Sequence, residues 1–87
     1  MADDELQVRP EWRGTGDVRF PVAARVRGQW WVLRMNRFPD HPLWTLFVDG
    51  VRRFDINDVP ATWGRPADPA VPTLEAGAGS EALRPVR

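Results

Sequence analysis

Trp44-Thr45-Leu46-Phe47-Val48-Asp49-Gly50-Val51-Arg52-Arg53-Phe54-Asp55-Ile56 sets two β-forming runs around one Asp-Gly pair. Asp-Gly between such runs marks a two-residue type I′ hairpin, whose central residues both take positive φ. Pairing outward from the turn puts Trp44, Leu46, Val48 and Val51 on one face, with Arg53 and Asp55 beyond them. Phe47, Phe54 and Ile56 share the other face with Thr45 and Arg52. Both faces of this hairpin are therefore partly apolar.

Upstream, Val18-Arg19-Phe20-Pro21-Val22-Ala23-Ala24-Arg25-Val26 alternates with a period of two. Val18, Phe20, Val22, Ala24 and Val26 fall on one side, and Arg19, Pro21, Ala23, Arg25 and Arg27 on the other, as in a half-buried strand. Pro21 has no amide hydrogen to give to a ladder, which places the strand at an edge there. Gly28-Gln29 fits a turn with glycine at its first centre, as type II′ requires. Trp30-Trp31-Val32-Leu33-Arg34-Met35 then pairs back, with Val26 opposite Trp31, Ala24 opposite Leu33 and Val22 opposite Met35. On the other face Arg27 meets Trp30, Arg25 meets Val32 and Ala23 meets Arg34. A loop follows over residues 36–42. Asn57 or Asp58 can cap a helical turn at 59–63 that Gly64 ends. The expected fold is mainly β: a four-stranded antiparallel meander, as a curled sheet or small open barrel, with that short turn and disordered tails.

The apolar residues concentrate in the same place. Residues 17–63 hold 23 of them in 47 positions, with all four Phe and four of the five Trp. The expected organisation is a flexible acidic segment over 1–16, with Trp12 as its anchor, a small β domain over 17–64, and a disordered Pro/Ala/Gly-rich tail over 65–87. A unit near 47 residues buries little of its surface. Two partly apolar faces therefore call for cover, from curling, from the Trp12 segment, from a second copy or from a partner.

All twelve basic residues are Arg, and twelve acidic residues bring the net charge to zero. The neutrality hides a basic centre, since residues 18–53 carry seven Arg against Asp40 and Asp49. The absence of Cys excludes disulfides, zinc knuckles and thiol catalysis. No apolar run approaches the roughly 18 residues of a membrane span. The acidic start has no signal-like stretch, so a cytoplasmic location is expected.

Catalytic chemistry finds little footing. Asp40-His41 resembles the carboxylate–imidazole part of a general base, but it stands in a turn and the lone Ser is Ser80, in the expected tail. Asp49, Asp55, Asn57 and Asp58 lack the spacing of a calcium loop. Gly14-Thr15-Gly16 neither follows a strand nor leads a helix, as a phosphate loop would. No catalytic residue, metal or cofactor is expected, and no small-molecule ligand.

The stretch from Trp31 through Phe38-Pro39-Asp40-His41-Pro42-Leu43-Trp44 to Phe47-Val48-Asp49-Gly50, followed by Val59-Pro60 and Trp63, resembles small actinobacterial proteins of unknown function over about residues 18–64. That resemblance implies an origin and no activity. Asn36, Leu43-Trp44 and Val59-Pro60-Ala61-Thr62-Trp63 also loosely resemble MbtH-like proteins, small partners of adenylation domains in nonribosomal peptide synthesis. The resemblance implies that Trp44 and Trp63 would grip an alanine of such a domain. The chain departs from that family at Pro42 and Thr45, in lacking the family's second Trp-containing block, and in its Asp49-Gly50 hairpin.

The function expected from the residues is a non-enzymatic protein-interaction module, binding a partner or a second copy of itself. Trp30, Arg27, Arg25, Arg34 and Trp44 are the candidate contacts, because Trp and Arg dominate binding hot spots. The alternative is single-stranded nucleic acid bound by Arg25, Arg27, Trp30 and Arg34 through stacking and phosphate contacts. A purely structural reading has Arg27 covering Trp30 by a cation–π contact.

Overall fold

Two dipeptides with positive φ set the sheet. In the computed structural model, which describes residues 3–37 and 39–86, these are Arg27-Gly28, at φ 51 and 78, and Asp49-Gly50, at φ 48 and 84. Met1, Ala2, Phe38 and Arg87 lie outside the described residues, and with them parts of the segments expected over 1–16, 36–42 and 65–87. The strands are β1 (Arg13–Gly14), β2 (Val22–Val26), β3 (Gln29–Met35), β4 (Trp44–Val48) and β5 (Val51–Ile56). They form one open antiparallel sheet in the order β1-β2-β3-β4-β5. The fold is mainly β as expected, with one strand more. β1 is two residues long, too short to leave an alternating pattern.

The β2–β3 turn is centred on Arg27-Gly28 rather than Gly28-Gln29. Val26 pairs with Gln29, Ala24 with Trp31 and Val22 with Leu33. The slip from the expected register is two residues, so the side chains of Val22–Val26 and Gln29–Met35 keep their faces. The strand expected over 18–26 forms only from Val22, and upstream of it Val18 is exposed and Phe20 packs with Ala23 and Val32, on the face opposite to the one expected. A type I′ turn matches the strand twist, and Arg27 accepts the left-handed conformation it demands. The two hairpins are stitched at their turns: Trp30 N donates to Asp49 Oδ1, and Asp49 N donates to Trp30 O, both at 2.8 Å. β2 begins after Pro21 and is flanked on both sides, so Pro21 marks a strand start and not an edge.

β4 and β5 pair across Asp49-Gly50 as expected for Val48–Val51 and Phe47–Arg52. The register then shifts, and Leu46 pairs with Phe54, Thr45 with Asp55 and Trp44 with Ile56. The extra residue is Arg53, a β-bulge. It moves Phe54 and Ile56 from the expected Phe47 face to the Trp44–Leu46 face, and Asp55 to the Thr45 face. The bulge thereby sorts apolar from polar, and Phe54 stacks on Trp63 with centroids 6.2 Å apart.

One face of the sheet packs Val22, Ala24, Val26, Trp31, Leu33, Trp44 and Leu46 against Trp12 and Trp63. Trp63 closes the 3-10 turn Ala61–Trp63, which follows Pro60 without a side-chain cap. Asn57 serves elsewhere, its Oδ1 accepting from Leu43 N at 3.1 Å. The N-terminal segment docks beside Trp63 through helix α1 (Asp3–Gln7): Trp63 Nε1 donates to Glu5 O at 2.8 Å, and Thr62 Oγ1 to Leu6 O at 2.6 Å.

The opposite face packs Ala23 and Val32 with Phe20, under Ala82 and Leu83 of helix α2 (Ala76–Leu83). This helix, and the 3-10 turn Arg84–Val86 after it, stand where the sequence led us to expect disorder. Pro72–Leu74 also lies along β1, with Gly14 N donating to Pro72 O and Leu74 N to Gly14 O, each at 2.8 Å. Eight residues with two buried apolar side chains carry no readable period. Such a helix is stabilised by packing rather than by propensity.

Candidate functional site

The α2 face of the sheet carries Arg25, Trp30 and Arg34. Arg25 and Trp30 are cross-strand partners near the β2–β3 turn. The Arg25 guanidinium lies 5.2 Å from the centroid of the Trp30 ring, a cation–π contact. Glu81 of α2 binds both, its Oε1 lying 3.3 Å from Arg25 Nη1 and accepting from Trp30 Nε1 at 3.2 Å. Trp30 is thus half-buried and engaged from within the chain.

The other candidates separate. Arg27 sits in the turn, exposed, and the expected cover of Trp30 comes from Arg25 instead, because the register is shifted by two. Trp44 is 5% exposed and belongs to the core of the opposite face, where an anchor at the sheet edge was expected. Its expected face was right, but tertiary cover hides it. Trp63, named with Trp44 by the MbtH-like resemblance, is also buried.

Arg34 lies at the far end of the α2 face and organises a second cluster. Its guanidinium sits 5.2 Å from the Phe47 ring centroid, and its Nε donates to Asn36 Oδ1 at 2.8 Å. Asn36 Nδ2 donates to Pro42 O at 2.9 Å and to Thr45 Oγ1 at 2.7 Å. Thr45, fully buried, donates its hydroxyl to Asp55 Oδ1 at 2.6 Å. Arg52 Nη2 reaches Asp55 Oδ2 at 2.7 Å. A hydroxyl has one hydrogen and two lone pairs. Asn36 and a longer 3.5 Å contact from Arg34 Nη2 fill the acceptor side of Thr45.

The bond from Thr45 holds the Asp55 carboxyl below its ordinary range. Partial burial opposes this, and the hydrogen bond and charge of Arg52, then the charge of Arg34, add to it. A row of three strands thereby fixes two guanidinium groups beside one ionised carboxylate. Arg19, Arg37 and His41 complete the wall of a cleft around them, with Val18 and Met35 as exposed apolar rim. Asn36 ties the loop that carries His41 to the sheet, through its side-chain bond to Pro42 O and through Asn36 N donating to Leu43 O at 2.8 Å.

Four guanidinium groups against one carboxylate make an anion-attracting cleft of charge-assisted donors. Of its residues, Arg34 is the one expected as a binding contact, while the sequence raises His41 only for catalysis and Asp55 only for metal binding. The charge surplus of residues 18–53 pointed to the region, and alternation put Arg52 on the correct face. Asp55 was missed because the bulge inverts its side. Among the described residues no three His, Asp or Glu side chains converge to hold a metal ion. No helix among them is long and apolar enough to cross a membrane. No protein-family model, curated protein or solved structure matches the chain.

Proposed function

We propose that this chain is a small, non-enzymatic interaction module that binds an acidic segment of a protein partner in the cleft of Arg19, Arg34, Arg37 and Arg52. The observation that carries this reading is the Arg34–Asn36–Thr45–Asp55–Arg52 network. It holds two guanidinium groups in place before a ligand arrives, which lowers the ordering cost of binding. Arg clusters of this kind serve recognition of acidic motifs. The exposed Val18 and Met35 offer apolar contact beside the charge, which suits a peptide.

Single-stranded nucleic acid needs aromatic faces on which bases stack. Among the described residues lining this cleft there is no Phe, Tyr or Trp, and the imidazole of His41 is the one ring. The nearby Phe47 and Trp30 rings already carry Arg34 and Arg25.

The test is fluorescence anisotropy with a labelled decaglutamate peptide, repeated with the double variant Arg34→Ala/Arg52→Ala. Binding that weakens with salt and drops at least tenfold in the double variant supports the cleft. Absence of binding to the unmodified chain, or indifference to the variant, overturns it. A labelled oligothymidylate run in parallel identifies nucleic acid as the ligand if it binds more tightly than the peptide.

A further inference from the structure

α2 is a poor helix on its own terms. Its sequence, Ala76-Gly77-Ala78-Gly79-Ser80-Glu81-Ala82-Leu83, has two glycines, and Glu75 makes no side-chain capping bond. Glycine is among the least favourable residues in a helix interior, and a missing cap leaves first-turn amides without a side-chain acceptor. What holds α2 is the surface beneath it. Ala82 and Leu83 are buried against Phe20, Ala23 and Val32. Gly79 lies against the β1–β2 connection, where an added Cβ would stand 3.8 Å from Thr15 O. Glu81 takes the donors of Arg25 and Trp30.

That surface is separable from the rest of the core. The cluster with Trp12, Trp31, Trp44 and Trp63 lies on the opposite face of the sheet and contains no α2 residue. A segment with few buried contacts and weak local propensity opens at lower free energy than the strands beneath it. The surface is also continuous with the basic cleft, because Phe47 packs into the α2 cluster and carries the guanidinium of Arg34 on its ring.

We propose that α2 is a built-in stand-in for the partner. The surface under it is a docking site for a helical segment of a protein partner that carries a carboxylate followed two positions later by leucine, as Glu81 and Leu83 do. The carboxylate takes the Arg25–Trp30 position, the leucine fills the place beside Ala23 and Val32, and α2 is displaced. This rests on the reading above that the partner is an acidic protein segment, and it extends that segment from the cleft onto the adjoining apolar face.

The experiment uses the full chain and two variants that loosen α2 by different routes. Ser80→Pro breaks the helix at an exposed position, and Leu83→Ala removes its main buried side chain. Amide exchange is expected to show protection over residues 76–83 falling at least tenfold in each variant, with protection over 29–35 and 44–48 retained. A labelled peptide of residues 75–86 added in trans is expected to bind both variants at least tenfold more tightly than it binds the unmodified chain. The same peptide with glutamine at the Glu81 position and alanine at the Leu83 position is expected to lose that binding.

Loss of protection in α2 and the strands together in both variants would overturn the proposal, because α2 would then be part of one cooperative core. So would a peptide that fails to bind variants whose α2 has opened, or one that binds regardless of its Glu and Leu. Failure of decaglutamate to bind the cleft, with the trans peptide binding as expected, sinks the acidic-cleft reading and leaves the docking surface standing. The reverse pattern sinks the docking surface alone.

Discussion

The hydroxyl of Thr45 donates to Asp55 Oδ1 at 2.6 Å from a position with no solvent exposure. That bond is the hinge of the cleft, because the carboxylate it orients receives Arg52 with its other oxygen. It is also the largest cause of the lowered Asp55 pKa. A native carboxyl that loses its proton at lower pH than in the unfolded chain stabilises the fold above the unfolded value, about 3.9. That contribution disappears as pH falls from there through the lower native value. Replacing Thr45 by Val is therefore expected to raise the Asp55 pKa, read by NMR titration of its side-chain carbon, and to flatten this acid limb of stability. The same change removes one of the two acceptors of Asn36 Nδ2 and costs about 1–3 kcal/mol in denaturant unfolding. An unchanged titration in Thr45→Val would show that Arg52 alone sets the carboxyl.

The five tryptophans are not equivalent. Trp63 packs edge-on to Trp12 and Trp31, at 5.7 and 6.1 Å between centroids, and its indole nitrogen donates to Glu5 O. The buried indole nitrogens of Trp12 and Trp31 have no hydrogen-bond partner among the described residues. Trp63→Phe leaves the Glu5 carbonyl orphaned and removes one of the bonds that hold the N-terminal segment, whereas Trp31→Phe removes a donor that makes no such bond. The first is expected to destabilise by about 1 kcal/mol or more beyond the second in urea unfolding. Equal losses would mean that packing alone decides both.

How much of this was legible follows from the range of each contact. Asp49-Gly50 states its turn in two adjacent residues, and its conformation was read correctly. The first hairpin was read two residues out of register, yet the faces of its paired residues survived because the side-chain period is two. Phe20 did not keep its expected face, because it lies before the strand begins at Val22 and the alternation does not extend to it. At Arg53 a slip of one inverted Phe54, Asp55 and Ile56. A bulge inserts one residue without a local mark when that residue and the one before it, here Arg53 and Arg52, are both charged. Trp30 and Trp44 misled for another reason. The groups that engage or bury them, Glu81 for one and the Trp12–Trp63 cover for the other, approach across the fold and leave no trace in the strand pattern.

Glycine at the two turns is required to different degrees. A Cβ on Gly28 meets no atom within 4 Å, so Gly28→Ala costs only the left-handed conformation, about 1–2 kcal/mol. A Cβ on Gly50 would overlap the ring and carbonyl of Pro85. Gly50→Ala therefore carries the same conformational cost and also pushes the Arg84–Val86 turn off the β4–β5 hairpin. It is expected to be the more destabilising of the two, with faster amide exchange over residues 84–86. Equal cost at the two glycines would show that the C-terminal turn yields without resistance.

Asn36 offers the sharpest separation between carrying charge and placing it. Its amide binds Arg34 Nε, Pro42 O and Thr45 Oγ1, and so fixes a guanidinium, a loop and the buried hydroxyl together. Asn36→Ala removes no charge from the cleft. Loss of its three bonds is expected to cost about 1–3 kcal/mol in stability. It also frees Arg34 to sample other rotamers, so the decaglutamate affinity falls. The salt dependence of that affinity should nevertheless keep its slope, because the number of cationic groups facing the peptide is unchanged. Arg52→Ala is expected to lower both affinity and slope, since a charge is lost outright. Anisotropy titrations of both variants across a salt series read the difference directly. If Asn36→Ala flattens the slope as much as Arg52→Ala, Arg34 has left the cleft altogether and the network is what keeps it there. If Asn36→Ala changes neither, the guanidinium groups act by net charge alone and their pre-organisation contributes nothing to binding.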